Sequence, residues 1–175
     1  LLEPHLDRSD LTVERVDLDA PLPFATSYSA RHQLANTRFA VAAARHLGIA
    51  LPDHELHVEF SRLREEVREL PDGGLLLNDC YNANPVSMRA ALEHLTDRAH
   101  GRRRVAVLGE MAELGDGARA YHEEIGALVR ELGIEHVIAV GGLARAYGGD
   151  WVADAEGAAD RLRAALRPGD VVLVK

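Results

Sequence analysis

The sequence predicts an α/β fold in which helices cover a doubly wound, mostly parallel sheet. From position 75 onward, short runs of Val, Ile, Leu and Ala alternate with longer amphipathic segments. These short runs are apolar at consecutive positions, which is typical of strands buried on both faces and therefore of a parallel sheet. The chain has 175 residues, of which 47% are hydrophobic. This length can bury a sizeable core without disulfides.

The first part of the chain contains the less regular elements. Its predicted elements are a strand at 11–18, a loop or second strand at 21–29, helices at 30–47 and 53–67, and a turn at 71–74. The first helix is rich in alanine and ends at Gly48, a residue type that favours helix ends. The second helix is predicted because Leu56, Phe60 and Leu63 form one apolar stripe.

The second part of the chain has a regular rhythm of strand and helix. Strands are predicted at 75–79, 104–108, 136–140, 151–152 and 170–174, and helices at 85–98, 117–132, 142–147 and 155–166. Pro85 suits a first helical position, and Asn84 before it suits the N-cap. We therefore place a domain boundary between a two-helix segment, 1–77, and an α/β domain, 78–175.

Composition excludes several classes of protein. A net charge of −8 argues against a general binder of nucleic acid phosphates. A single cysteine excludes an internal disulfide and a multi-cysteine zinc site. No apolar run is long enough to cross a bilayer and no signal peptide is recognisable, so a cytoplasmic protein is expected. Nineteen of the 20 basic residues are arginine, and no P-loop lysine followed by Ser or Thr occurs.

The segment 78–84 is the first candidate site. A strand ends at Asp79, a polar loop follows, and a helix begins after Asn84. Ligands of open α/β sheets bind outside the carboxyl ends of strands, where helix N-termini offer free N–H groups. Asp79 could accept a hydrogen bond from a ribose hydroxyl or orient a cation. Alternatively, Asn82 and Asn84 only form the turn and the cap, and spacing leaves both interpretations open.

Other segments carry weaker signals. Glu110 and Glu113 follow the next strand and could act as acid and base or as metal ligands, but the pattern favours a solvated helical turn. Residues 115–120 match G-x-G-x-x-A, yet they do not directly follow a strand. The nine histidines show no metal-binding spacing. Cys80 has no histidine nearby in sequence, which favours a small packed residue over a nucleophile.

Several motifs, taken together and in order, resemble the Mur ligase family. Residues 78–89 read N-D-C-Y-N-A-N-P-V-S-M-R and resemble the family's D-D-S-Y-N-A-N-P-x-S-M-R signature. Residues 105–115 are similar to V-L-G-D-M-x-E-L-G, with His122 at the place of that segment's histidine. Further similar segments are R-H-Q-L-A-N at 31–36, S-R at 61–62 and G-D-V-V-L-V-K at 169–175.

The resemblance implies a function. It identifies 1–77 as the incomplete end of a central ATP-binding domain and 78–175 as a truncated, Rossmann-like C-terminal domain. The whole enzyme would join D-alanyl-D-alanine to UDP-N-acetylmuramoyl-tripeptide in peptidoglycan synthesis, through an acyl phosphate formed with ATP and Mg²⁺. The resemblance implies a cytoplasmic monomer that binds neither nucleic acid nor membrane. Because the P-loop and the metal ligands would lie outside these residues, we expect the fragment to be inactive alone.

The resemblance also implies residue roles. The implied nucleotide-binding residues are His32, Asn36 at the adenine, Arg62 at the phosphates and Asp79 at the ribose. The implied residues of the substrate cleft are Tyr81, Asn82 and Asn84. No catalytic residue and no metal ligand is implied within these 175 residues. The alternative is an α/β module that binds a nucleotide or peptide without turnover.

Overall fold

The computed structural model describes residues 13–58, 63 and 66–175. Internal contacts divide the chain between positions 58 and 59 into two compact units. Among the described residues, no helix is both long and apolar enough to cross a membrane.

The first unit is built around one helix, α1 (Arg31–His46). Its buried residues Gln33, Thr37 and Val41 are spaced four apart and therefore share one face. The chain leaves the helix through Gly48, whose φ of 66° is easily adopted by glycine. The predicted helix at 30–47 is confirmed. Residues 21–29 form a loop with one isolated bridge, between Thr26 and Leu56.

Two predictions for the first part of the chain are wrong or partly outside the described residues. Of the strand predicted at 11–18, positions 11 and 12 are not described and 13–18 form no strand. The predicted helix at 53–67 is absent from its described part: residues 53–58 are irregular and 66–69 form a strand. Leu56 instead exchanges backbone hydrogen bonds with Ala25 and Ser27. The spacing of apolar residues in this segment is typical of a helix, but backbone pairing with a distant segment decides the conformation around Leu56.

The second unit is a six-stranded sheet covered by helices. Its strands are β1 (Glu66–Glu69), β2 (Leu75–Asn78), β3 (Arg104–Gly109), β4 (His136–Val140), β5 (Asp150–Val152) and β6 (Val171–Val174). Their spatial order is β1-β2-β6-β3-β4-β5. Only β1 is antiparallel, because it forms a hairpin with β2; the other four pairings are parallel. The predicted mostly parallel α/β fold is confirmed.

The helices lie on both faces of this sheet. They are α2 (Pro85–Ala99), α3 (Ala118–Glu131) and α4 (Ala155–Ala165), with a short 3-10 helix at Leu143–Tyr147. The connections through α2 and α3 move across the sheet in one direction, whereas α4 leads back to β6. Since such crossovers share one hand, α4 lies on the opposite face. The larger core packs under α2 and α3, and the smaller core, which includes Val107, Ile138 and Ala158, lies under α4.

The chain divides into its two compact units at a different position from the predicted boundary. The sequence predicts a boundary at 77/78, but the contacts divide the chain at 58/59. A cut at 77/78 would pass through β2, where Leu77 pairs with Leu173 and Asn78 pairs with Val174. The hairpin of β1 and β2 thus belongs to the sheet. The turn at 71–74 joins these two strands rather than a helix to a strand.

Candidate functional site

Three adjacent parallel strands end at one edge of the sheet and bring distant parts of the sequence together. The order β2-β6-β3 places the residues after these strands side by side. Backbone hydrogen bonds hold these strand ends together. The Asp79 N–H donates to the Val174 carbonyl at 2.9 Å, and the Gly109 N–H donates to the Lys175 carbonyl at 2.7 Å. Asp79, Glu110 and Lys175 therefore share the carboxyl edge, where open α/β sheets bind ligands.

An ion pair joins the ends of β2 and β6. Lys175 Nζ donates to Asp79 Oδ2. The lysine side chain is 3% exposed and the aspartate side chain 17% exposed, so water screens this pair poorly. A buried ammonium needs such a partner, because it would otherwise lose its hydration without compensation. The pair therefore holds the Asp79 carboxylate in a defined place at the edge.

A pocket of about 520 Å³ opens beside this ion pair. Its inner wall is mostly apolar and comes from the strand ends and from α4. Polar groups come from the loop after β2, from Glu110 and from Lys175. The lining residues are Cys80, Tyr81, Asn82, Ala83, Val107, Gly109, Glu110, Ala112, Val140, Ala155, Ala158, Ala159, Leu162, Val174 and Lys175. An apolar concavity with a few convergent polar groups is typical of sites for small molecules.

Glu110 is anchored at this pocket by the neighbouring loop. The Leu143 N–H donates to its Oε2 at 3.2 Å. Gly141, with a φ of 103°, passes so close that a Cβ there would lie 2.8 Å from the same oxygen. Glycine at 141 thus lets the carboxylate and the loop after β4 approach each other. The sequence pattern favours a solvated helical turn for Glu110; the residue is exposed, lies in a loop rather than a helix, and also lines the pocket.

Two buried aromatic rings lie behind Glu110. His122 is 0% exposed and Tyr147 is 1% exposed. The rings stack with centroids 5.3 Å apart. Burial, and secondly the charge of Glu110, raise the pKa of Tyr147, so its hydroxyl remains a neutral hydrogen-bond donor. That hydroxyl donates to the Gly109 carbonyl at 3.1 Å.

The loop after β2 combines a helix cap with part of the pocket lining. Asn84 Oδ1 accepts from Ser87 N–H at 2.9 Å, and Ser87 Oγ accepts from Asn84 N–H at 3.1 Å. This capping box accounts for Asn84. Tyr81 and Asn82 line the pocket, whereas Asn84 does not. Sequence spacing left turn-and-cap and ligand contact open, and the geometry assigns the cap to Asn84.

We expect Asn84→Ala to lower the free energy of unfolding by about 1 kcal/mol, because α2 loses its N-cap acceptor. Urea denaturation of both variants measures the difference, with Asn82→Ala as the matched control. The Asn82 side chain accepts only a bond from the adjacent Ala83 N–H, so this control should change stability little. Equal losses in the two variants would contradict the assigned cap.

The remaining candidate residues of the sequence analysis belong to different parts of the chain. His32 and Asn36 are one helical turn apart on α1, in the first unit, and Asn36 is exposed. Arg62 lies outside the described residues. Cys80 is an exposed free thiol at the pocket rather than a packed residue. In the part of the chain that the structure describes, no group of three or more His, Cys, Asp or Glu could hold a metal ion.

Sequence reasoning missed two residues of this site. Lys175 is the only lysine in the sequence and follows the predicted strand 170–174, but the sequence predicts no site role for it. It pairs with Asp79 because β6 lies beside β2. The one feature of the sequence that could have indicated this residue is that the only lysine directly follows a predicted strand. Tyr147 had no local signal, because its role depends on the contact of its helix with α3.

Comparisons with known proteins find relatives of the part of the chain that contains the sheet and the pocket. The family described as Mur ligase, glutamate ligase domain matches residues 63–175. A UDP-N-acetylmuramoyl-tripeptide–D-alanyl-D-alanine ligase of Mycobacterium leprae is 37% identical over 174 residues, covering 82% of this chain and 34% of the relative. The corresponding ligase of Mycobacterium bovis is 40% identical over 177 residues, covering 82% and 35%. The chain thus spans about a third of the length of these curated relatives.

Solved structures of MurF ligases have a similar fold. The MurF ligase from Thermotoga maritima in complex with ADP has a TM-score of 0.68 and 28% identity, covering 82% of this chain and 34% of that one. A MurF structure from Acinetobacter baumannii has a TM-score of 0.70 and 27% identity, covering 85% and 35%. The family match covers more than half of this chain and includes the whole described sheet. The chain therefore belongs to the Mur ligase family.

Proposed function

We propose that this chain is the C-terminal part of an ATP-dependent ligase that joins D-alanyl-D-alanine to UDP-N-acetylmuramoyl-tripeptide. The observation that carries the proposal is the carboxyl edge of the sheet. There, the signature segment after β2 and the segment after β3 meet at one apolar pocket. The substrates are those for which the similar mycobacterial ligases are named. We also propose that the whole enzyme is cytoplasmic and monomeric.

Within this proposal, Asp79 receives a ribose hydroxyl of the nucleotide. Its carboxylate lies at the edge where nucleotides bind in open α/β sheets, and the ion pair with Lys175 holds it in place. As the family resemblance implies, Asn36 would contact the adenine, Arg62 would contact the phosphates, and His32 would be a further nucleotide-binding residue. Tyr81 and Asn82 would face the acceptor substrate. Asn84 would support this loop through its cap rather than by direct contact.

The two implied cofactors differ in how well the described residues suit them. ATP, when bound, would supply the phosphoryl group that activates the tripeptide carboxylate. Asp79 offers the oxygen acceptor that a ribose hydroxyl needs. The described residues offer no comparable site for Mg²⁺, because no three or more His, Cys, Asp or Glu side chains among them are grouped so that they could hold a metal ion. We therefore assign no step at these residues to the metal.

Nucleotide binding tests the proposal. Calorimetric titration of the 175-residue chain with ADP is expected to give weak binding that Asp79→Asn reduces about ten-fold, or ~1.4 kcal/mol. The matched control is Asp97→Asn, which makes the same change on an exposed position of α2. Affinity that is equal in wild type and Asp79→Asn would contradict the assigned ribose contact. Tight binding without any ligase activity in the complete protein would favour the alternative of a binding module.

A further inference from the structure

The backbone on both sides of Glu110 is held by two buried side chains. On one side, the Tyr147 hydroxyl donates to the Gly109 carbonyl at 3.1 Å. On the other side, the Met111 N–H donates to His122 Nε2 at 3.0 Å. Because Nε2 accepts, the proton of a neutral imidazole lies on Nδ1, which donates to the Ala118 carbonyl at 2.7 Å. Both peptide groups next to Glu110 therefore have a fixed partner.

These two side chains form one rigid support. Their rings stack at an interplanar angle of 16°, and both are almost fully buried. His122 belongs to α3 and Tyr147 to the short helix 143–147, and Gly126 lets these two helices touch. A Cβ at Gly126 would lie 2.1 Å from the Ala146 carbonyl oxygen. The support thus ties α3 and the 143–147 helix to the turn that carries Glu110.

The Glu110 carboxylate retains capacity for a ligand. Leu143 N–H occupies Oε2, and no described residue donates to Oε1. The carboxylate lines a pocket whose other walls are mainly alanine and valine side chains. The only ammonium on this lining, that of Lys175, is already paired with Asp79. Glu110 is an exposed residue, and a carboxylate at the side of an apolar lining can pair with a group that brings its own positive charge and small apolar groups.

We propose that Glu110 is a specificity-determining residue that selects a ligand carrying a free primary amine, and that His122 and Tyr147 are its positioning residues. The inference rests on the proposed function in one respect, since it identifies the amine as that of D-alanyl-D-alanine. The small methyl groups of this dipeptide suit the alanine-lined wall. The ammonium would bind Glu110 Oε1, which is left open by the bond to Leu143.

A pair of ligands that differ only at the amine tests Glu110. The chain is titrated, with NMR detection of its amide signals, against D-alanyl-D-alanine and against N-acetyl-D-alanyl-D-alanine. Wild type is expected to bind the free amine about ten-fold more tightly, as for a charge-assisted bond of ~1.4 kcal/mol. Glu110→Gln should abolish this preference, whereas Glu113→Gln, the same change on an exposed residue of the same loop, should retain it. Equal binding of the two ligands by wild type, or no binding of either, would overturn the proposal.

Tyr147→Phe tests the positioning role. This variant keeps the stacked ring and removes only the hydroxyl that holds Gly109. It should lower the preference for the free amine several-fold and leave the affinity for the N-acetyl dipeptide unchanged. A purely structural role would change both affinities or neither, so either result would reject the positioning role. A second variant, His122→Gln, removes one ring of the stack and should lower the same preference.

Failure of this inference is distinguishable from failure of the proposed function. Asp79-dependent ADP binding without an amine preference would retain the ligase assignment and reject the role of Glu110. An amine preference that depends on Glu110, without ADP binding, would retain the specificity residue and reject the nucleotide site.

Discussion

Gly126→Ala is expected to lower the free energy of unfolding by about 3 kcal/mol or more, a severe case of overpacking. The added Cβ would lie 2.1 Å from the Ala146 carbonyl oxygen and 3.2 Å from Tyr147 Cα. Both are backbone atoms, so no side-chain rotation relieves the clash. The 143–147 helix must instead move away from α3, which separates His122 from Tyr147. Urea denaturation followed by circular dichroism measures the loss.

Gly157→Ala in α4 is the matched control for this prediction. A Cβ at Gly157 meets its nearest atoms, on Asp154 and Val152, only at 3.4 Å. Because alanine favours a helix over glycine by about 1 kcal/mol, this control should be neutral or slightly stabilising. Similar effects of the two substitutions would show that the close approach at Gly126 does not limit stability.

The second large effect is expected at the ion pair between Asp79 and Lys175. Lys175→Met removes the lysine from the Asp79 carboxylate, and Asp79→Asn leaves an ammonium that is 3% exposed. Each single variant should lose about 3 kcal/mol of unfolding free energy, because the charge that remains stays largely buried and is not hydrated by water. The double variant should lose much less than the sum of the two single variants, since no unpaired charge remains.

The control for the ion pair is an exposed pair on α3. Arg119 and Glu123 lie 3.0 Å apart, with side chains 83% and 57% exposed. The same double-variant cycle there should give a coupling below about 1 kcal/mol. Additive losses at Asp79 and Lys175 would contradict the assigned buried interaction. This cycle measures stability and therefore tests the pair independently of nucleotide binding.

Regular strands and helices of the second unit were predictable because their signals are local. The apolar run at 136–140 predicted β4 at its observed bounds, and the Asn84-Pro85 pair predicted the start of α2. The helix prediction for 53–67 failed in the described part of that range, where the spacing of apolar residues in the sequence is typical of a helix. There β1 forms because Val67 and its neighbours pair with β2 across the turn at 71–74. Pairing of this kind is a tertiary contact, and local periodicity does not report it.

Sequence alone determined the fold class, through its apolar runs, and the family, through its motifs, and it predicts the loop after β2 as part of a candidate site. Tertiary structure decided which other residues belong to that site. Lys175 meets Asp79 across 96 positions because β6 inserts beside β2. Tyr147 reaches Gly109 only because Gly126 allows its helix to touch α3. These contacts depend on strand order and helix approach, which arise from packing the whole chain and are not encoded in any short segment.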